Sequence, residues 1–240
     1  MDPAYVSRHV EEEREHWWFR ARLEILRAVL PPRAPGARRR RVVDLGCGTG
    51  TVLDALHDLG ETIGVEIDDT LRGVALVRGL DVRAGALPDR VPVEPGTADV
   101  VLLLDVLEHL EDPAATLGTA RELLVPHGVL VVTVPAYQWL WSSHDVTLRH
   151  KRRYTRRALI RLATDAGFLI DRATYFNTLL FPALAVVRLV GRLQGRNGHD
   201  LKRPAPIVNR LLERVFAAER HLIRRVALPF GNSILLLAHT

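Results

Sequence analysis

Glycines 46, 48 and 50 follow an apolar run that ends near Asp44, and Glu66 closes the next apolar run. Glycines at this spacing let the backbone turn tightly beneath a ligand and lead into a helix N-terminus. A carboxylate at the next strand end is offered to ribose hydroxyls, as in nucleoside-binding folds. Two other nucleotide readings fail on residues. A dinucleotide turn needs a third glycine where Thr51 stands, and a P-loop needs Gly-Lys-Ser/Thr, which is absent.

A second group follows the apolar run 98–104: Asp105, Glu108 and His109. Imidazole titrates near neutrality, so His109 is a candidate general base; the alternative is a histidine that ties a helix start to its loop. The third group is the aromatic and basic stretch 136–154, with Tyr137, Trp139, Trp141, His144, Asp145, His150, Arg153 and Tyr154. Its rings can stack on a sugar or another ring, and its arginines can grip phosphate or carboxylate. The alternative is a surface loop anchored by its tryptophans. His144 beside Asp145 is the second base candidate. The histidines lack the tight spacing of a helical metal pair, so no metal site is expected.

These residues need a scaffold to bring them together. Strands are expected at 41–45, 61–66, 81–84, 98–104 and 128–134, with helices at 51–58, 70–78 and 113–124 between them. Continuous apolar strands alternating with helices mean a parallel sheet covered on both faces, a doubly wound α/β fold. Sites in such folds lie beyond the C-terminal strand ends. A helix over the first thirty residues is stopped by Pro31-Pro32, and Trp18 lies on it. After Pro135 come a helix at 155–166, strands at 168–176 and 233–239, and helical stretches near 178–193 and 207–226.

The turn VVDLGCGTG (42–50) resembles the first motif of the class I S-adenosylmethionine (SAM) methyltransferases. VEID (65–68), GALP (85–88), ADVVLLLDVLEHLEDP (98–113) and LLVPHGVLVVTVP (123–135) resemble that superfamily's later motifs, in order. The resemblance implies a Rossmann-like, seven-stranded, mostly parallel sheet with an antiparallel C-terminal hairpin. It implies SAM as cofactor and S-adenosylhomocysteine as product. The cofactor residues it suggests are Trp18, Asp44, Gly46, Cys47, Gly48, Gly50, Glu66, Ile67, Ala86, Leu87 and Asp105. Ala86 departs from the pattern, since relatives carry Asp or Ser there, so the backbone groups of Ala86 and Leu87 would have to meet adenine.

HWWFRAR (16–22), PAYQWLWSSHD (135–145), HKRRYT (150–155), YFNTLLFP (175–182) and LPFGNSILLLA (228–238) resemble a narrower bacterial group found with glycosyltransferase and polysaccharide genes. That implies one methyltransferase domain over 1–240: an N-terminal cap helix (1–34), a SAM-binding core (41–135), an acceptor loop (136–154) and a helical insertion (177–230). The expected reaction is O-methylation of a sugar, a lipid-linked glycan or a small secondary metabolite. His109 and His144 are then the catalytic candidates, and Tyr137, Trp141, Asp145, His150, Arg153 and Tyr154 face the acceptor. Two alternatives stand: a SAM fold that cyclises or eliminates instead of methylating, and an RNA- or membrane-binding SAM-fold protein.

Apolar residues make up 48% and charged residues 25% of the 240, which excludes a disordered or low-complexity chain. The single cysteine, Cys47, excludes a disulfide framework. No signal pattern and no membrane-length apolar run are visible, so the expected location is the cytoplasm. The net charge of +5 is uneven: residues 149–240 carry 18 Lys and Arg against 5 Asp and Glu. Either this is a solvated basic face or it meets something anionic. The apolar stretch 179–193, with Arg188 and Arg192 and the basic LKRPAP after it, suggests peripheral contact with an anionic membrane, the alternatives being a cap helix or a dimer face. Nucleic acid is not an expected partner, since no appended RNA-binding motif is recognisable.

Overall fold

A computed structural model describes residues 13–30, 38–193 and 204–240. The sheet has seven strands in the order β3-β2-β1-β4-β5-β7-β6. They are β1 (Arg40–Leu45), β2 (Gly60–Glu66), β3 (Val82–Ala84), β4 (Ala98–Leu104), β5 (Leu124–Pro135), β6 (Leu169–Phe176) and β7 (Ser233–His239). The strands from β3 to β5 pair in parallel, and β7 runs antiparallel between β5 and β6. This is the expected fold.

Side chains alternate across the pleat and divide the core in two. Val43, Leu45, Val101, Leu103, Leu130, Val132, Ile234 and Leu236 face one layer. That layer is covered by α4 (Pro113–Leu123), through Leu117 and Ala120, and by α6 (Arg156–Asp165), through Leu159 and Ala163. Val42, Val100, Leu102, Val131 and Leu235 face the other layer. There they meet Ala21, Ile25 and Leu26 of α1 (Trp17–Val29), Phe216 of α8 (Pro206–Ala217) and Ile223 of α9 (Glu219–Ile223). Burying each such large apolar side chain contributes about 1.5–3 kcal/mol. The strands are therefore apolar on both faces, which is why periodicity shows them as continuous runs.

The short helices α2 (Thr51–Leu56) and α3 (Asp69–Val77) follow β1 and β2. Asp68 caps α3 by accepting from the backbone N–H groups of Thr70 and Leu71. Asp112 caps α4 in the same way through Ala115, with Pro113 in the first turn.

Three expectations are corrected. The first helix does not run unbroken: residues 13–15 are helical, a bend follows at His16, and His16 then caps α1 by accepting from the Trp18 N–H at 3.2 Å. Residues 1–12 lie outside the described residues. The loop 136–154 is partly ordered, with a 3-10 turn at Gln138–Leu140 and the short helix α5 (Ser143–Thr147), closed by a capping box between Ser142 and Asp145. The stretch near 207–226 is two helices, broken at Ala218. The 178–193 stretch is helix α7 (Phe181–Leu193), and the basic residues 201–203 lie outside the described residues.

Candidate active site

The site is built at the C-terminal ends of β1, β2, β4 and β5. Strand β1 lies between β2 and β4, where the order of the sheet reverses and a crevice opens in folds of this kind. The turn after β1 is anchored by the N–H groups of Gly46 and Cys47, which donate to Val65 O at 2.8 and 3.2 Å. Gly46 has φ +79°, and a Cβ there would stand 2.8 Å from a Val106 methyl. Gly48 has φ +56° and its missing side chain would face open space, so the backbone itself lines the crevice. Glu66 is held at both oxygens: Oε2 accepts from Gly48 N–H at 2.9 Å and Oε1 from Asp68 N–H at 2.8 Å. Each oxygen keeps a lone pair for a further donor.

Asp44 is buried and its Oδ1 makes no hydrogen bond within the described residues. Burial drives its pKa up, against the Arg22 charge and with Glu66 and Glu13 adding to the rise, to about 7. Arg22 projects from α1, stacks on Trp18 at 4.6 Å and pairs with Asp105, whose backbone is left-handed at φ +58°. Glu13 accepts hydrogen bonds from the hydroxyls of Thr49 and Thr51. Neither Arg22 nor Glu13 was among the site residues expected from the sequence.

Not every expected cofactor residue offers what was expected. The Cys47 thiol is turned down against Gly64, a Cβ on which would stand 2.5 Å from the sulfur. Burial, helped by Asp44 and Glu66, pushes that thiol above its ordinary range, so only the Cys47 backbone faces the turn. The Ala86 N–H and carbonyl are paired reciprocally with Arg90, at 2.8 Å each way. Of the backbone groups of Ala86 and Leu87 expected to meet adenine, the Ala86 N–H is thus already engaged within the loop. Leu87 follows it in the loop, and Ile67, 67% exposed, stands open at the end of β2.

The second part of the site is a histidine pair after β4. His109 and His150 meet edge to face with centroids 4.7 Å apart. His150 Nδ1 lies 2.9 Å from the buried carboxylate of Asp145, which fixes the ring. Burial, then the neighbouring His150, pulls the pKa of His109 down, against the opposing effect of Asp105 and the Leu148 backbone. Beside them Glu108 is fully buried and, its own backbone N–H apart, neither carboxylate oxygen is hydrogen-bonded among the described residues. Burial, then the Asp105 charge, pushes Glu108 well above the carboxylate range. Sequence reading paired His144 with Asp145; in the fold it is His150 that takes Asp145, and the His144 ring centroid lies 6.3 Å from that of His150.

Much of the 136–154 stretch turns inward rather than toward an acceptor. Arg153 grips Asp145 through Nε at 2.7 Å and Nη2 at 2.9 Å, and donates to Ala136 O at 3.1 Å. Their side chains are 2% and 0% exposed, so this pair is part of the interior. Tyr154 is buried and its hydroxyl donates to Leu107 O at 3.1 Å. The expected acceptor roles of Asp145, Arg153 and Tyr154 are corrected accordingly: they hold the loop against β4 and β5. Tyr137 stacks on Tyr175 at 5.0 Å and on Trp139 at 5.7 Å, and Trp139 remains 55% exposed. Trp141 is half-buried.

A crevice at the sheet reversal, a backbone turn open above Gly48, an orphaned buried carboxylate at Asp44 and a fixed carboxylate at Glu66 fit SAM. The fold and site define the class I SAM methyltransferases. The chain belongs to the family described as "Methyltransferase domain", matched over residues 10–172, and SAM is its cofactor. It is 32% identical over 164 residues to a Mycolicibacterium smegmatis protein named "Probable S-adenosylmethionine-dependent methyltransferase", covering 65% of this chain and 61% of that one. It is 33% identical over 106 residues to a ubiquinone biosynthesis O-methyltransferase of Xanthomonas campestris, covering 41% and 43%. The chain thus spans less than two thirds of the length of these relatives. Among solved structures, a SAM-dependent methyltransferase from Archaeoglobus fulgidus superposes with a TM-score of 0.62 over the full length of both chains at 18% identity.

Proposed function

We propose that this protein transfers the methyl group of SAM to a hydroxyl oxygen of a small-molecule or glycan acceptor. The observation that carries the reading is the His109–His150 pair, fixed by Asp145 at the strand end beside Asp105. When bound, SAM supplies an electrophilic methyl carbon. Glu66 and the 46–50 turn hold its nucleoside part, and Asp44 its cationic part. The histidine pair is where the acceptor hydroxyl gives up its proton, and the Tyr137–Trp139 stack is the platform for the acceptor's ring. Helices α1 and α8 form a cap that keeps water from the strand ends: Asn209 Oδ1 accepts from Trp17 N–H at 3.0 Å and Glu213 pairs with Arg20 at 2.9 Å. The O-methyltransferase relative supports oxygen as the target.

The experiment is incubation of the protein with labelled SAM and a panel of sugars, lipid-linked glycans and phenols, with the product identified by mass. A methylated hydroxyl supports the reading. Methylthioadenosine, or SAM consumed without a methylated product, favours the cyclising or eliminating alternative. His109→Ala should lower turnover by about 10²–10⁴-fold with little change in SAM affinity.

The proposed second partner is an anionic membrane surface, which would bring a lipid-linked acceptor to the site. Ile207, Arg210, Leu211 and Arg214 share one face of α8, with Ile207 77% and Leu211 60% exposed. Apolar residues flanked by arginines on one helical face suit a lipid interface. No helix among the described residues is long and apolar enough to cross a membrane.

A further inference from the structure

We infer that Glu108, His109 and His150 bind a divalent first-row transition cation, of the zinc and cobalt class, whose open position takes the acceptor hydroxyl. The donor atoms of these three residues all lie within 4.8 Å of one another. Bonds of ~2.0–2.2 Å to one ion would bring these donors closer together than this upper limit. Two imidazoles and a carboxylate, with a position left open, form the donor set of many catalytic zinc sites.

Three independent observations point to a ligand here. First, both Glu108 oxygens are buried and, its own backbone N–H apart, find no hydrogen bond among the described residues, an arrangement that a bound cation would satisfy and that is otherwise costly. Second, each histidine already has its supporting contact. Asp145 takes Nδ1 of His150 at 2.9 Å, which leaves Nε2 to ligate, and Asp145 is itself fixed by Arg153. His109 packs edge to face on the His150 ring, centroids 4.7 Å apart. A ligating histidine whose other nitrogen is held by a carboxylate or a carbonyl is the usual outer support of a metal site. Third, the nearby charges are already matched: Arg22 pairs with Asp105, Lys151 with Glu111 and Arg153 with Asp145. Among the described residues Glu108 forms no ion pair of its own, although the Arg22 and Arg153 charges act on it.

The catalytic part of this inference rests on the hydroxyl-acceptor reading above; the binding part does not. A cation in this place lowers the pKa of a hydroxyl coordinated to it. With the cation bound, His109 and His150 serve as its ligands in place of the base role they hold in the metal-free reading; the O–H bond breaks and its proton passes to water. The oxygen pair then forms the new C–O bond as the C–S bond of the methyl donor breaks and leaves its electrons on sulfur.

The test uses the full chain, stripped with a chelator and titrated with Co²⁺, read by ligand-field absorption and by equilibrium dialysis. One Co²⁺ per chain should bind, with Zn²⁺ displacing it. His150→Ala and Glu108→Gln should each weaken binding by at least about tenfold, and Asp145→Asn by about 10–100-fold through loss of ring orientation. Absence of stoichiometric Co²⁺ binding to the wild-type chain overturns the inference, as does undiminished binding by both His150→Ala and Glu108→Gln. The wild-type titration decides alone where a variant fails to fold, and SAM binding by each preparation reports an intact core. SAM bound without a cobalt site overturns this inference only; cobalt bound without SAM overturns the cofactor reading only.

Discussion

Arg22, on the first helix, reaches across 83 positions of sequence to pair with Asp105 at the end of β4, while its guanidinium plane rests on Trp18. This one contact ties the N-terminal helix to the strand edge where the histidine pair begins. It also places a positive charge that opposes the raised pKa of Asp44. Arg22→Met should cost about 2 kcal/mol in urea unfolding, below the range for a fully buried pair because the two side chains are 10% and 25% exposed. SAM affinity should fall with it in calorimetry. A variant as stable as wild type with unchanged SAM affinity would mean that α1 is held by its apolar face alone.

Glu66 should be the residue on which nucleoside binding depends most. Glu66→Ala removes the ribose acceptor and also the partner of the Gly48 and Asp68 N–H groups. The expected loss in SAM binding is about 1.5–3 kcal/mol, the scale of hydrogen bonds to a charged group. Glu66→Gln should retain part of it, because one amide oxygen still accepts. Calorimetry with SAM and with S-adenosylhomocysteine checks both.

Asp44 makes SAM binding and stability respond to pH in opposite directions. Its pKa is raised to about 7, so between pH 4 and 7 the folded chain holds a proton that the unfolded chain has lost. The stability from this group is full below about pH 4 and disappears as pH rises through 7. A cationic ligand favours the ionised form, so SAM affinity should increase over the same range. Asp44→Asn should flatten both profiles and raise thermal stability at pH 8. Thermal melts and SAM titrations from pH 5.5 to 8.5 measure them.

Arg153 should matter for folding more than for acceptor affinity. Arg153→Met leaves Asp145 buried and without its bidentate partner, and should cost about 3–5 kcal/mol. Its Michaelis constant for the acceptor should change little at temperatures where the variant stays folded. A large change in that constant with no loss of stability would return Arg153 to the acceptor site.

Vesicle co-sedimentation should rise with the fraction of anionic lipid and fall as salt is added. Ile207→Asp with Leu211→Asp should abolish it without affecting SAM binding. Equal recovery in the supernatant at every lipid composition would leave the exposed face of α8 to another copy of the chain or to no partner.

The strands and the SAM turn were legible because they depend on local signals: apolar runs, capping residues, glycines at fixed intervals. Strands β4 and β7 fall where the apolar runs end, at 98–104 and 233–239. The site was half legible. His109 stood out because it follows a strand, and the aromatic loop stood out by composition. The partner of Asp145 did not, since a neighbour in sequence, His144, competed with His150 five residues away, and only the turn of α5 decides between them. Glu108 was marked only by its place after a strand, and Arg22 and Glu13 were not marked as site residues. Their importance comes from contacts across tens of residues, and a charged residue looks the same in sequence whether it is solvated or buried.

The antiparallel strand β7 has a consequence for how the chain assembles. It separates β5 from β6, so neither can complete its ladder until residues 233–239 have been synthesised, nearly sixty positions after β6 ends. Until then a nascent chain carries an open β5 edge bearing Leu130, Val132 and Val134, with Tyr175 and Phe176 of β6 unpaired nearby. Such edges recruit other strands. Sheet closure is therefore a late event in the life of this polypeptide, and the interval before it is when aggregation competes with folding.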